Sequence, residues 1–246
     1  MVSGLKSWFS DVRADFLLNF VQNQRWKFLT SGLKNTIIMT LFSVILGIVL
    51  GALVAIIRSG YDNTYAEMHK GIKKTLFGIV NSVCKLYLTI IRGTPVVVQL
   101  MIMYYIIFAS SRNSLLVAIL AFGINSGAYV AEIIRSGIMS IEKGQFEAGR
   151  SLGFDYKSTM WHIIIPQAFK NVLPALANEF IVLLKETSVA GYVTIRDLTM
   201  GGNIIRAATY SAFMPLFAVA IIYLVMVMFF SKLVEVLERR LRKSER

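Results

Sequence analysis

The chain has 246 residues, 56% of them hydrophobic, a formal net charge of +12 and a mean hydropathy of +0.63. Such an apolar excess excludes an ordinary soluble domain of this length and places the chain in a bilayer. Two histidines and one cysteine, Cys84, supply neither a metal cage nor a structural disulfide, so zinc and redox chemistry are both disfavoured.

Residues 1–30 lack the unbroken apolar core of a signal peptide and read as part of the mature chain. Within them Trp8, Val12, Phe16 and Phe20 recur every fourth residue, with Phe9 and Leu17 alongside, while Asp11, Arg13 and Asn19 face elsewhere. The spacing predicts an N-terminal amphipathic helix, lying on the bilayer surface or packed on the flank of a bundle. Residues 31–246 then form a transmembrane domain. Uncharged runs mark a first span over Thr36 to Ile57, a second over Gly93 to Ser111 and a third over Asn113 to Ala131. A fourth, Pro174 to Val193, carries Glu179, Lys185 and Glu186, and a fifth lies between Arg206 and Lys232. Each is long enough to cross about 30 Å of hydrocarbon at about 1.5 Å per residue. The fold class is therefore an all-α membrane protein of five transmembrane helices. Gly47 and Gly51 in the first span, and Gly123 and Gly127 in the third, form GxxxG pairs that predict close helix contacts within the chain or between subunits.

The basic excess follows the topology. With the N-terminus outside, the inner loops and tail hold 16 of the Lys and Arg residues: Arg58, Lys70, Lys73, Lys74 and Lys85, then Arg135, Lys143, Arg150, Lys157 and Lys170, and six from Lys232 onward. Outer segments hold eight. The positive-inside rule therefore puts the C-terminus in the cytoplasm, and the charge needs no nucleic-acid partner. The stretch GYDNTYAEMHKGIKKTLFG, residues 60–78, reads as a long inner loop without an assigned role.

Between the third and fourth spans lies KGQFEAGRSLGFDYKSTMWHIIIPQAF, residues 143–169. Phe146, Gly149, Leu152 and Gly153 are expected to share one face of a short helix, with Arg150 and Asp155 exposed beside it. Gly153 would let the chain reverse, and Pro166 would start the return into the membrane. The result is a cytoplasmic knob suited to docking.

The pattern Glu147-Ala148-Gly149, three residues, Gly153, nine residues, Ile163 to Pro166 resembles the EAA loop of the membrane subunits of ATP-binding-cassette importers. Gly149 stands where that consensus has a second alanine, and Ile165 where it has leucine. YLTIIRGTPVVVQL (87–100), NSGAYVAEIIRSGI (125–138) and IIIPQAFKNVLPALANEFIVLLKETS (163–188) are similar to the polar amino-acid branch of those permeases, which carry histidine, glutamate, glutamine, arginine or opines. The resemblance runs from about Asn35 to the C-terminus. It implies a coupling helix within an EAA-type loop of about residues 137–166, with Glu147, Ala148, Gly149, Arg150, Gly153 and Asp155 as the ATPase-coupling residues. It also implies a cytoplasmic ATPase dimer, an extracytoplasmic solute-binding protein, a second permease subunit, identical or paralogous, and a bacterial inner-membrane location.

Charges inside a bilayer cost roughly 3 kcal/mol each on insertion scales and need a reason. Arg92 stands in RGTP, where Gly93 and Pro95 break the helix and free backbone groups. One reading has Arg92 and Thr94 holding the carboxylate of an amino acid while Glu179, with Asn178, meets its ammonium group. The other is an Arg92–Glu179 bridge made only for packing. Glu132 and Arg135, three apart, are expected to pair with each other. No GxxxxGK[ST] occurs, so ATP and magnesium belong to a partner, and the chain itself is expected to carry no cofactor, metal or catalytic residue. Competing readings are a permease for another solute such as an osmolyte or opine, a membrane enzyme using His162 alone, and an ion channel.

Overall fold

The computed structural model describes residues 10–65 and 68–243. Among the described residues every regular element is helical. In chain order these are α1 (Trp26–Thr64), α2 (Ile72–Gly93), α3 (Val96–Ile102), α4 (Ser114–Met139), α5 (Lys143–Ser151), α6 (Tyr156–Thr159), α7 (Ile165–Glu186), α8 (Leu198–Thr209) and α9 (Phe213–Lys243). Four of them, α1, α2, α4 and α9, are long and apolar enough to cross a membrane. The helix α7, whose 22 residues include the Glu179, Lys185 and Glu186 expected of the fourth span, stands in that span's place in the bundle.

The bundle is organised by α1 against α4, which run parallel. Gly47 lies on Ser126 and Gly51 on Val130, where an added Cβ would sit 2.9 Å and 2.5 Å from those side chains. Gly123 and Gly127 receive Leu46 and Leu50 in return. The two GxxxG pairs therefore face each other within the chain, and the missing side chains let the backbones approach. Ser43 Oγ, wholly buried, donates to the Ile119 carbonyl at 3.1 Å across the same seam. Met39, Leu100, Phe122 and Leu183 close the main core around this pair. The helix α7 descends antiparallel to α4, with Val172 over Gly137 at one end and Glu179 beside Ser126 at the other. Outward, Phe42, Ile45, Val49, Leu53 and Ile56 of α1 and Phe217, Val225 and Met228 of α9 are exposed, as lipid contact requires.

Several boundaries differ from expectation. The second crossing begins with α2, ends helically at Gly93, and resumes as α3 and a π-turn over Met103–Ile107. Arg92 misleads a reading based on uncharged runs, because it sits inside the crossing rather than before it. Thr94 and Pro95 are extended there, since proline disfavours a helical residue before it and lacks an amide for the ladder. The fourth crossing is Ile165–Glu186, not Pro174 to Val193. Thr187 turns its hydroxyl onto the Leu184 carbonyl at 2.8 Å, and Thr187–Val193 folds as a 3-10 turn against the core. Residues 60–78 are mostly helix, with Gly60 to Thr64 ending α1 and Ile72 onward beginning α2.

The helical backbone re-forms at Tyr156, ten residues before Pro166. A π-turn over Met160–Ile164, closed by the Ile165 amide on the Met160 carbonyl, widens the helix just ahead of the proline. That relieves the clash of its ring with the preceding turn, and Pro166 stands in the first turn of α7, where the return into the membrane was expected to start.

The N-terminal segment packs on the flank through residues 19 and 20. Asn19, expected to face away, is fully buried: Thr209 donates its hydroxyl to the Asn19 side-chain oxygen at 2.8 Å. Phe20 joins Leu29, Leu198, Ile205 and Val219 in a second core. Phe16 and Leu17 are exposed, and Trp8 and Phe9 lie outside the described residues.

Candidate functional site

Two places in the fold gather the residues singled out by sequence. The first is the hairpin of α5 and α6. Here α5 starts from an extended Glu142 and ends at Leu152, after which Gly153 takes φ +81°. Its amide donates to the Arg150 carbonyl at 2.9 Å, and that of Phe154 donates to the Gly149 carbonyl at 3.0 Å. This pair of bonds is the Schellman closure, in which a left-handed residue satisfies the last carbonyls of a helix, and it requires a residue without a Cβ penalty.

The inward face of α5 is made by Phe146, packed with Ile138, Ile164 and Ala168, and by Gly149. A Cβ at Gly149 would lie 2.7 Å from the Thr159 side chain of α6, so the absent second alanine is the space that Thr159 occupies. Gly149 therefore positions the helix and is buried, while Glu147, Ala148 and Arg150 are exposed. Leu152 does not join the packed face and is 72% exposed. Six residues after Phe146 it has turned about 240° around the helix, away from the core. Asp155 caps α6, its carboxylate accepting from the Ser158 amide at 2.8 Å. Hydrogen bonds from Ser158, the side chain first and the backbone amide second, hold the Asp155 carboxyl below the usual aspartate range.

The second place is a cleft of about 530 Å³ between α2, α4 and α7, lined among others by Arg92, Tyr129, Glu132, Asn171 and Glu179. Arg92 and Glu179 thus share one cavity without forming the bridge expected for packing. Arg92 Nη1 instead meets Glu132 Oε1 at 3.8 Å, and the other Glu132 oxygen pairs with Arg135 at 3.5 Å, as the i,i+3 spacing predicts. The Arg92 guanidinium also lies 5.9 Å from the Tyr129 ring centroid. Glu179 is only 8% exposed and accepts a hydrogen bond from Ser126 Oγ at 2.8 Å.

Thr94 and Asn178 stand apart from this group. Thr94 donates to the Ile90 carbonyl at 2.8 Å and accepts from Gln99 at 2.8 Å, outside the cleft lining. Asn178 is exposed and also absent from that lining, because one residue along a helix rotates a side chain by about 100°. The sequence reading missed Gln99, Asn125 and Ser126. Gln99 reaches back across the helix break to the carbonyls of Ile91 at 2.8 Å and Thr94 at 3.0 Å, and accepts from Asn125 at 2.9 Å. Backbone groups freed by a break in hydrocarbon must find partners inside the protein, and a side-chain amide supplies them. A neutral polar residue within an apolar run was the available signal.

Residues 74–243 match the family described as binding-protein-dependent transport system inner membrane component. The chain is 35% identical, over 87% of its length and 93% of the relative's, to the putative glutamine transport system permease protein of Rickettsia typhi. It is 33% identical, over 91% and 90%, to the L-cystine transport system permease protein of Bacillus subtilis. A crystal structure of an amino acid ABC transporter with histidines superposes with a TM-score of 0.77 at 39% identity, covering 90% of this chain and 98% of that one. The chain therefore belongs to the binding-protein-dependent transport family, as the membrane-spanning translocation subunit of an ATP-binding-cassette importer. It is a transport component rather than an enzyme, and hydrolysis of ATP falls to a separate partner.

Proposed function

We propose that this family member imports a polar amino acid, with the cleft between α2, α4 and α7 forming its half of the path. The observation that carries the reading is an arginine and a buried carboxylate, Arg92 and Glu179, facing one cavity inside the bundle. An amino acid presents the complementary pair of charges, and an intramembrane ionisable residue marks a path or a partner. Relatives that carry glutamine and cystine, and a solved amino-acid transporter of the same fold, support the same substrate class. Thr94 and Asn178 lie outside the cleft lining, and only Thr94 enters the proposal, as a support of the helix break.

The same reading makes α5 the contact with the ATPase, through Glu147, Ala148 and Arg150, with Gly149, Gly153 and Asp155 holding its geometry. A helix stopped at a fixed residue and seated by Phe146 transmits a push to α4 and α7 as a rigid body. A second permease, a copy or a paralogue, completes the path. A binding protein delivers the solute from outside, and the chain runs with its N-terminus outside and its C-terminus in the cytoplasm.

The test is reconstitution with a family ATPase and binding protein. Ala148→Trp is expected to abolish capture of the ATPase while the permease remains monodisperse. Glu179→Gln is expected to keep capture but weaken amino-acid uptake by tenfold or more, roughly the worth of a charge-assisted hydrogen bond. Unchanged uptake by Glu179→Gln would remove the ligand role, and capture that survives Ala148→Trp would remove α5 from the interface.

A further inference from the structure

Neither the cleft nor α5 uses the basic residues where α1 and α2 meet. Arg58 directly follows the apolar run that ends at Ile57, so it lies where α1 leaves the hydrocarbon. One turn further on, Tyr61 stacks on Tyr65 with ring centroids 4.2 Å apart and tilts against Phe77 at 5.6 Å. Aromatic clusters of this kind sit at headgroup level. Lys74 Nζ lies 4.8 Å from the Tyr65 ring and Lys85 Nζ 6.0 Å from the Tyr61 ring, bringing ammonium groups to the same level.

A groove of about 500 Å³ opens here between α1, α2 and α4, lined by Arg58, Lys85, Leu88 and Thr89 and, at Gly93, by Arg92 and Glu132, which it shares with the cleft. Three cations face one carboxylate, and that carboxylate is already shared between Arg92 and Arg135. Arg58 and Lys85 form no ion pair among the described residues, and Arg58 Nε is shielded from solvent without a hydrogen-bond partner. Beside the groove, Leu76, Ile79, Val83, Leu86 and Ile90 form an exposed apolar stripe along α2. A second copy of α2 laid on that stripe would bring like charges together, whereas an anionic amphiphile satisfies both the bases and the stripe.

We propose that this groove binds the phosphate headgroup of an anionic phospholipid of the inner leaflet, with its acyl chains along the α2 stripe. Arg58 offers a planar fork to the phosphate oxygens and Lys85 a point charge, while Glu132, engaged by Arg92 and Arg135, closes the inner end. The leaflet rests on the orientation proposed above, but retention of the lipid does not.

The assembled importer, reconstituted in nanodiscs of mixed phosphatidylcholine and phosphatidylglycerol and then extracted and washed, is read by native mass spectrometry. Phosphatidylglycerol should stay on the wild type in preference to phosphatidylcholine. Lys85→Gln should reduce that retention about fivefold, and Arg58→Gln/Lys85→Gln about fivefold again, since each base near the surface contributes a factor of that size. Lys85→Arg should restore it. Equal retention by wild type and Lys85→Gln, or of both lipids, overturns the proposal. Displacement of the lipid by inorganic phosphate overturns it in favour of a free-anion site. Should the double variant fail to assemble, the exposed Lys85 carries the test alone.

Discussion

Gly153 and Asp155, two residues apart, set the end of one helix and the start of the next by opposite means. Gly153 contributes only the freedom to adopt φ +81°, which costs a residue with a Cβ about 1 kcal/mol. Asp155 contributes a charge. Its carboxyl is held below the ordinary aspartate value by Ser158, so the folded chain releases that proton more readily than the unfolded one. The cap is therefore at full strength above the unfolded value of about 3.9, and is lost as pH falls through the lower folded value. Hydrogen-exchange protection of the Ser158 amide should accordingly stay level from neutral pH down to about 4 and collapse only in stronger acid. In Asp155→Asn, which cannot titrate, protection should be lower and independent of pH over that range. A decline already between neutrality and mild acid would assign the cap to another group. The reversal at Gly153 was legible in the sequence and its φ bears it out, whereas the capping role of Asp155 emerges only with the backbone, because a carboxylate's donors are not written in spacing.

The hairpin of α5 on α6 turns on the contact between Gly149 and Thr159. Gly149→Ala places a methyl where Thr159 stands and should destabilise the hairpin by about 1–3 kcal/mol, the usual cost of overpacking. Thr159 Oγ1 is buried without a hydrogen-bond partner, so Thr159→Ala removes an unsatisfied group as well as the obstruction. The double variant should thus recover most of the thermal stability lost in detergent, and simple additivity would show that the two side chains do not meet. Elsewhere, what was legible depended on whether a feature is local. The GxxxG pairs announced narrow faces on α1 and α4, but spacing along one helix does not say which helix fills it. Charge-free runs located α1, α4 and α9, but misplaced the second crossing because Arg92 lies within it, and started the fourth too late because Lys170 lies in its early turns. The short α8 went unread, since Thr199, Gly201, Gly202 and Asn203 look like loop, although Asp197 was present as its cap, accepting from the Thr199 amide at 2.9 Å and that of Met200 at 3.1 Å. At the cleft, Arg92 and Glu179 stood out by the cost of burying charge, whereas Gln99 and Asn125 are cheap enough in a span to pass unnoticed.

For the whole molecule, orientation is the property on which the proposed mechanism depends, because α5 meets a cytoplasmic ATPase only if residues 140–156 are inside. Helix directions fix the rest: α1 and α4 run parallel, α7 runs back along α4, and α9 runs back along α7, where Phe180 meets Phe230 with centroids 4.9 Å apart. One end of the bundle therefore carries α5, α6 and the end of α9, and the other carries the turn at Arg112, the 3-10 turn and α8. The bases concentrate at the first end, as the inner face requires. The chain is convenient for a labelling test, since Cys84 is its single cysteine and is buried. In a Cys84→Ser background, Tyr210→Cys, at a corner where the native side chain is 96% exposed, should react with a membrane-impermeant maleimide in intact cells. Lys157→Cys, exposed on α6, should react only after permeabilisation. The reverse pattern would put α5 on the far side of the membrane from any ATPase. The fold would stand, while the coupling proposal and the inner-leaflet assignment of the Arg58 groove would both fall.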